Sequence, residues 1–218
     1  MDKISDVRLG PLPANSPYMK PRRLHFTQNG SKEKNWDLVK AHDSVSVITF
    51  NTTRNKLVVV KQFRPAVYYG QIGDYLESME GQPVDSEQLV AKFPPKLAIT
   101  RELCAGIVDK NLPLVEIARE ELIEECGYDI PATRIEEVIR FRSGVGTQGS
   151  LCVMYYCEVT DADKVQGGGG GVGDELIEVE EISIEEAREM VKQGTEHTSP
   201  PAFLFGILWF LTNKAPKF

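Results

Sequence analysis

The chain has 218 residues, 41% hydrophobic and 26% charged, enough to bury one sizeable core. Its 32 acidic residues against 25 basic ones give a net charge of −7. That balance excludes a general nucleic-acid binder, which needs a basic face to neutralise phosphates. The start, MDKISDVRLG, lacks a signal-peptide apolar core, and the most apolar stretch, 202–211, is too short to span a bilayer. Cys104, Cys126, Cys152 and Cys157 show no C-x-x-C pairing, so they read as reduced core thiols in a cytoplasmic protein, and a zinc site is not expected.

Residues 1–20 are polar and contain prolines, and read as an arm outside the core. The segments 22–28 and 35–40 flank a turn opened by Asn29-Gly30, a β-hairpin signal, with Leu24, Phe26, Trp36 and Leu38 as its apolar members. This hairpin either pairs with a second subunit or forms an edge of the main sheet. The expected division is an arm and hairpin over 1–42 and one main domain over 43–218. The β-branched runs SVSVITF (44–50) and KLVVVKQF (56–63) predict strands. Arg64 follows the second, where a guanidinium could fork onto a phosphate. From 70 to 95 the sequence reads as a long polar insertion of open role, and 96–103 as a return to strand.

Further on, 138–142 and 151–159 predict two strands around SGVGTQGS (143–150), whose glycines would let backbone N–H groups approach a ligand. Five consecutive glycines, 167–171, read as a mobile loop that ends in Asp174 and Glu175 before a strand over 176–182. An acidic residue there could swing over a site as a lid does. Ser183 with Glu186 is a capping-box signature for a helix over 183–193. Phe203, Leu204, Ile207, Leu208 and Leu211 form a helical apolar stripe within 198–213, read as core packing.

The stretch 106–128, GIVDKNLPLVEIAREELIEECGY, organises the rest. Wound as a helix, it puts Val115, Ala118, Leu122 and Cys126 on one apolar stripe. Glu120 and Glu124 fall opposite that stripe, Glu121 to one side and Glu125 at its border. Four like charges so close repel one another, and clustered carboxylate oxygens are what a hard divalent cation such as Mg²⁺ takes as ligands. Gly106 before the helix and Gly127 after it, a left-handed C-cap, fix both ends.

This frame resembles the Nudix hydrolase box, G-x5-E-x7-R-E-U-x-E-E-x-G-U, on Gly106, Leu112, Glu120, Glu121, Leu122, Glu124, Glu125, Gly127 and Tyr128. Leu112 replaces the first glutamate and Glu120 the arginine, whose orienting role could pass to Arg119. The wider resemblance, to the nucleotide-sugar and ADP-ribose pyrophosphatase branch and within it to UDP-sugar pyrophosphatases, rests on AHDSVSVITFN (41–51), VVKQFRPAVY (59–68), ELCAGIVD (102–109), EECGY (124–128), SGVG (143–146) and GDELIEVEE (173–181). It implies an α/β/α sandwich around a mixed sheet and hydrolysis of UDP-glucose to UMP and glucose 1-phosphate by a cytoplasmic homodimer, with ADP-ribose as a second substrate. It also implies metal ligands at Glu121, Glu124, Glu125 and the Ala105 carbonyl for Mg²⁺ (Mn²⁺ as alternative), and a catalytic base at Glu175 with Asp174 in reserve. Substrate contacts are implied at Arg64, Ser143, Gly144, Gly146 and Thr147. The competing reading is a nucleotide-sugar binding module without turnover, since two box positions are altered.

Overall fold

The computed structural model describes residues 3–79 and 84–216. Two sheets form. The first is the antiparallel hairpin of β1 (Lys20–Gln28) and β2 (Lys32–Lys40), with Asn29 and Gly30 at positive φ in its turn. It stands apart from the main sheet, so it is not an edge of it.

The second sheet has seven strands: β3 (Ser44–Asn51), β4 (Lys56–Phe63), β5 (Ile99–Glu102), β6 (Cys104–Ile107), β7 (Ile135–Arg142), β8 (Leu151–Val159) and β9 (Ile177–Ser183). Strand β3 runs parallel to β8, and the remaining pairings are antiparallel, which makes the sheet mixed. Strands β3 and β4 pair only over Thr49–Val58, Phe50–Leu57 and Asn51–Lys56. They then part, and β6 continues beside β3 while β5 continues beside β4. That split brings the ends of β5 and β6 to the mouth of the site.

Alternation along β3 and β4 builds the layers. Val45, Val47, Val58 and Val60 pack with Ile117, Ala118, Leu122 and Cys126 on one face; Ile48, Phe50, Leu57 and Val59 pack with Phe203, Ile207 and Phe210 on the other. The first face carries α3 (Leu114–Glu121), and the second carries α4 (Ile184–Met190) and α5 (Pro201–Asn213). The fold is an α/β/α sandwich. The Ser183–Glu186 capping box forms in both directions (3.1 and 2.7 Å).

Two expectations fail. The segment 70–95 is largely helical: α1 (Pro65–Ser78) and α2 (Ser86–Lys92) bury Tyr68, Ile72, Leu76 and Leu89 in a third cluster, while 80–83 lie outside the described residues. The arm is also anchored, because Ile4 and Val7 pack against that cluster. Their burial offsets the entropy of ordering the arm.

Candidate active site

Helix α3 runs from Pro113, its N-cap, to Glu121 and continues as a π-helical turn, Leu122–Cys126, that ends on Gly127 in the left-handed conformation (φ 74°). A π turn is wider than an α turn and is common at functional sites. It sends Leu122 and Cys126 into the core together with Glu125, which is only 5% exposed, while Glu121 and Glu124 stay half-buried. A uniform 100° wheel placed Glu125 only at the border of the apolar stripe. The widened turn carries it inward.

Glu125 Oε2 accepts the Ala105 N–H at 2.8 Å. Ala105 faces Ser46 of β3, yet spends its N–H on the helix. In an alternating antiparallel ladder such a residue also turns its C=O away from its strand partner, so the Ala105 carbonyl faces the helix side. Glu121 lies directly over Gly106: a Cβ there would meet the Glu121 carboxyl carbon at 2.0 Å. Only glycine admits this side chain.

Negative charge is concentrated here and only partly compensated. Burial, then the charges of Glu124 and Glu175, push Glu121 up to about 7. Burial also pushes Glu125 up to about 7, against the Ala105 N–H and with the charges of Glu121 and Glu175 adding to it. Glu175 therefore belongs to the same electrostatic group, although 50 residues separate it from Glu125. Lys110 tempers Glu121 but is bonded to Glu120 at 2.6 Å. Among the described residues no three His, Cys, Asp or Glu side chains close to metal-binding distance. The donor chemistry nevertheless fits a hard cation: carboxylate oxygens and a carbonyl, held in a region that disfavours bare negative charge.

The two altered box positions are accounted for. Glu120 forms the pair with Lys110, and Leu112 is exposed. Arg119 does not take over the orienting role, because its guanidinium binds Asp129 (2.6 Å) and the Ile130 carbonyl (2.8 Å).

Arg64 caps the start of α1 and is forked onto Glu102 through Nε (2.7 Å) and Nη2 (2.6 Å). Glu102 raises its pKa most, and the charges of Glu125 and Glu175 add to this, which places Arg64 at the same cluster. The Nη1 edge carries no hydrogen bond among the described residues, so it is open to an anion. Glu102, buried and also accepting from Thr100 Oγ1, went unread in the sequence because a lone glutamate at the end of a short strand has no pattern.

The loop 143–150 is closed by Ser143 N–H on the Ser150 carbonyl (2.9 Å), with Gly144 at φ 56° and its carbonyl accepting from Thr147 and Gln148. The hairpin grips it: the Trp36 indole N–H donates to Gly146 O (3.0 Å) and Val39 N–H to Thr147 O (2.7 Å). No hydrogen bond joins Ser143, Gly144, Gly146 or Thr147 to the carboxylate cluster among the described residues.

The glycine run is not the free loop its composition suggested. Gly170 N–H donates to the Glu125 carbonyl (2.9 Å) and Gly171 N–H to the Glu124 carbonyl (3.0 Å), so the run is tied to the end of the glutamate helix.

Across its full length the chain is similar to uridine diphosphate glucose pyrophosphatase NUDT14 of Bos taurus, 40% identical over 223 residues, covering 99% of this chain and 98% of that one. The Chain belongs to the Nudix hydrolases. The Mus musculus protein of the same name is 39% identical over 224 residues, with 99% and 98% covered. A GDP-mannose pyrophosphatase of Escherichia coli (strain K12) is 30% identical over 152 residues, 70% of this chain and 65% of that one. No family model matches the chain. Gly106 and Gly127 frame the stretch that resembles the Nudix box, and Glu121, Glu124 and Glu125 lie between them.

Proposed function

We propose that this Nudix chain hydrolyses the diphosphate linkage of UDP-glucose to UMP and glucose 1-phosphate, with ADP-ribose as a second substrate. The observation that carries the reading is the seating of Glu121 on Gly106 and of Glu125 on the Ala105 N–H at the box helix, with the charges of Glu175 and Arg64 acting on the same place. Full-length similarity to proteins named for UDP-glucose supports the choice of sugar nucleotide.

Glu121, Glu124, Glu125 and the Ala105 carbonyl would hold Mg²⁺, or Mn²⁺ in its place. When bound, such an ion would neutralise charge on the diphosphate and lower the pKa of a water. Glu102 holds the Arg64 fork so that its free edge grips a phosphate oxygen. Gly144 and Gly146 would offer backbone N–H donors along the substrate, and Ser143 and Thr147 their hydroxyls, since the N–H groups of those two close the loop itself. Glu175 takes the proton as water oxygen bonds to phosphorus and the bridging P–O bond breaks, releasing two monophosphates.

We further propose a homodimer formed through residues 1–42. A hairpin isolated in water is marginal, and the face shared by Leu24, Phe26, Trp36 and Leu38 is largely exposed. Four free cysteines, three of them buried, support the cytoplasm as its compartment.

The test is a product assay with Mg²⁺ on UDP-glucose and ADP-ribose side by side, in ¹⁸O-labelled water. UMP and glucose 1-phosphate from a preferred UDP-glucose is the expected result, and the label identifies the phosphorus attacked. Binding of both without turnover would overturn it.

A further inference from the structure

The segment from Asp163 to Gly171 runs along the end of the box helix, bond by bond. Asp129 N–H donates to Asp163 O (3.0 Å), Val165 N–H to Gly127 O (2.9 Å), Gly170 N–H to Glu125 O (2.9 Å) and Gly171 N–H to Glu124 O (3.0 Å). The last carbonyls of a helix have no partner within it, and here glycine amides satisfy two of them. The approach is backbone against backbone. A Cβ on Gly168 would lie 3.1 Å from Gly127 Cα, one on Gly169 would lie 3.2 Å from the Cys126 carbonyl carbon, and one on Gly127 would meet Gly168 O at 2.6 Å. Gly169, Gly170 and Gly171 also adopt φ of 90°, 97° and 84°, which side chains resist.

A linker between β8 and β9 needs none of this. Ordering consecutive glycines carries the largest entropy cost of any residue type, so the demand is positional. Four residues beyond Gly171 stands Glu175, whose Oε2 accepts the Val172 N–H at 3.1 Å and lies over Gly171. The two helix residues whose carbonyls hold the run, Glu124 and Glu125, are two of the three whose side chains form the acidic cluster.

We propose that the backbone of 168–171 is a positioning element that sets Glu175 against the glutamate helix, so that cluster and base are held as one unit. This rests on Glu175 being the base.

The test uses the full chain, UDP-glucose and Mg²⁺, with Gly168→Ala as the main variant. Gly168 has no left-handed φ, so the substitution acts through contact alone. Gly70→Ala is the control, since Gly70 lies exposed in α1 with no left-handed φ and open space around a Cβ. Gly168→Ala is expected to lower kcat by about 10- to 100-fold. KM and the half-saturating Mg²⁺ concentration should stay within about twofold, and Gly70→Ala should keep its kcat. The double variant Gly168→Ala/Glu175→Gln should be no slower than Glu175→Gln alone, because both act on one proton transfer. Full kcat in Gly168→Ala, or losses that multiply in the double variant, would overturn the proposal. Full kcat in Glu175→Gln would instead remove the base assignment. Should Gly168→Ala not fold, amide exchange on the unmodified chain decides: Gly170 and Gly171 amides are expected to be protected, and exchange at the unstructured rate would sink the idea.

Discussion

The Glu121 carboxylate rests on Gly106, with room for no Cβ between them: 2.0 Å would separate a Cβ from Cδ and from Oε1. The clashing atoms are the far end of a flexible side chain, so Gly106→Ala should displace Glu121 rather than the fold. The expected result is a loss in kcat of about 100-fold or more with a Tm shift within about 4 °C, roughly 1 kcal/mol in a chain of this length. Adding Glu121→Gln on top should cost little further. Thermal melts beside a Mg²⁺ titration of activity check this, and a Gly106→Ala chain with normal turnover would contradict it.

The metal-free protein should lose stability as pH rises. Burial lifts Glu121 and Glu125 from an ordinary 4.5 to about 7, so the folded state binds more protons than the unfolded state between those values. Their favourable contribution is fully present below the unfolded value and is lost as pH climbs through the folded one. Melts in EDTA should therefore show a falling Tm between about pH 5 and pH 8, less steep in Glu125→Gln, which cannot ionise there. Saturating Mg²⁺ should restore Tm at the alkaline end by binding the ionised form. A variant as steep as the parent would refute the attribution.

Glu102 governs how Arg64 presents itself. Glu102→Gln keeps the shape but gives up the charged fork, so Arg64 loses its fixed orientation without leaving the site. About tenfold in kcat/KM is expected to go, equivalent to about 1.4 kcal/mol. Arg64→Lys should not rescue function, because an ammonium cannot span the carboxylate and a phosphate as the planar fork does. Steady-state kinetics on UDP-glucose would settle the matter: an Arg64→Lys chain of full activity rules out the role.

The sequence was most legible where local chemistry and burial agree. Strands β4 and β8 fall on the residues their β-branched and apolar runs indicate, because a strand buried on both faces needs such a run. Helix α1 was misread: Pro65, Gly70 and Gly73 punctuate it, hiding Tyr68, Ile72 and Leu76 at four-residue spacing. The glycine run misled in the opposite direction. Its order comes from the carbonyls of Glu124 and Glu125, which are distant in sequence, and no local propensity encodes that contact. Of the candidate site residues, Glu121, Glu124 and Glu125 are suggested by spacing alone, whereas Glu102 depends on Arg64 being folded against it.

The hairpin gives the last prediction. Leu24 and Trp36 face each other across β1 and β2 and are 52% and 53% exposed, on a two-stranded sheet outside the main one. Two effects can be separated there. Leu24→Asp charges the apolar face and leaves the Trp36 indole in place, so it should convert a dimer to monomer in light scattering. Trp36→Phe keeps the apolar ring but removes the N–H that holds Gly146 O, so it should leave the dimer intact and raise KM about 2- to 10-fold, the worth of one hydrogen bond. If Leu24→Asp and the parent chain have the same mass in solution, the hairpin is not the dimer contact. If Trp36→Phe has an unchanged KM, the loop 143–150 does not depend on the hairpin for its position.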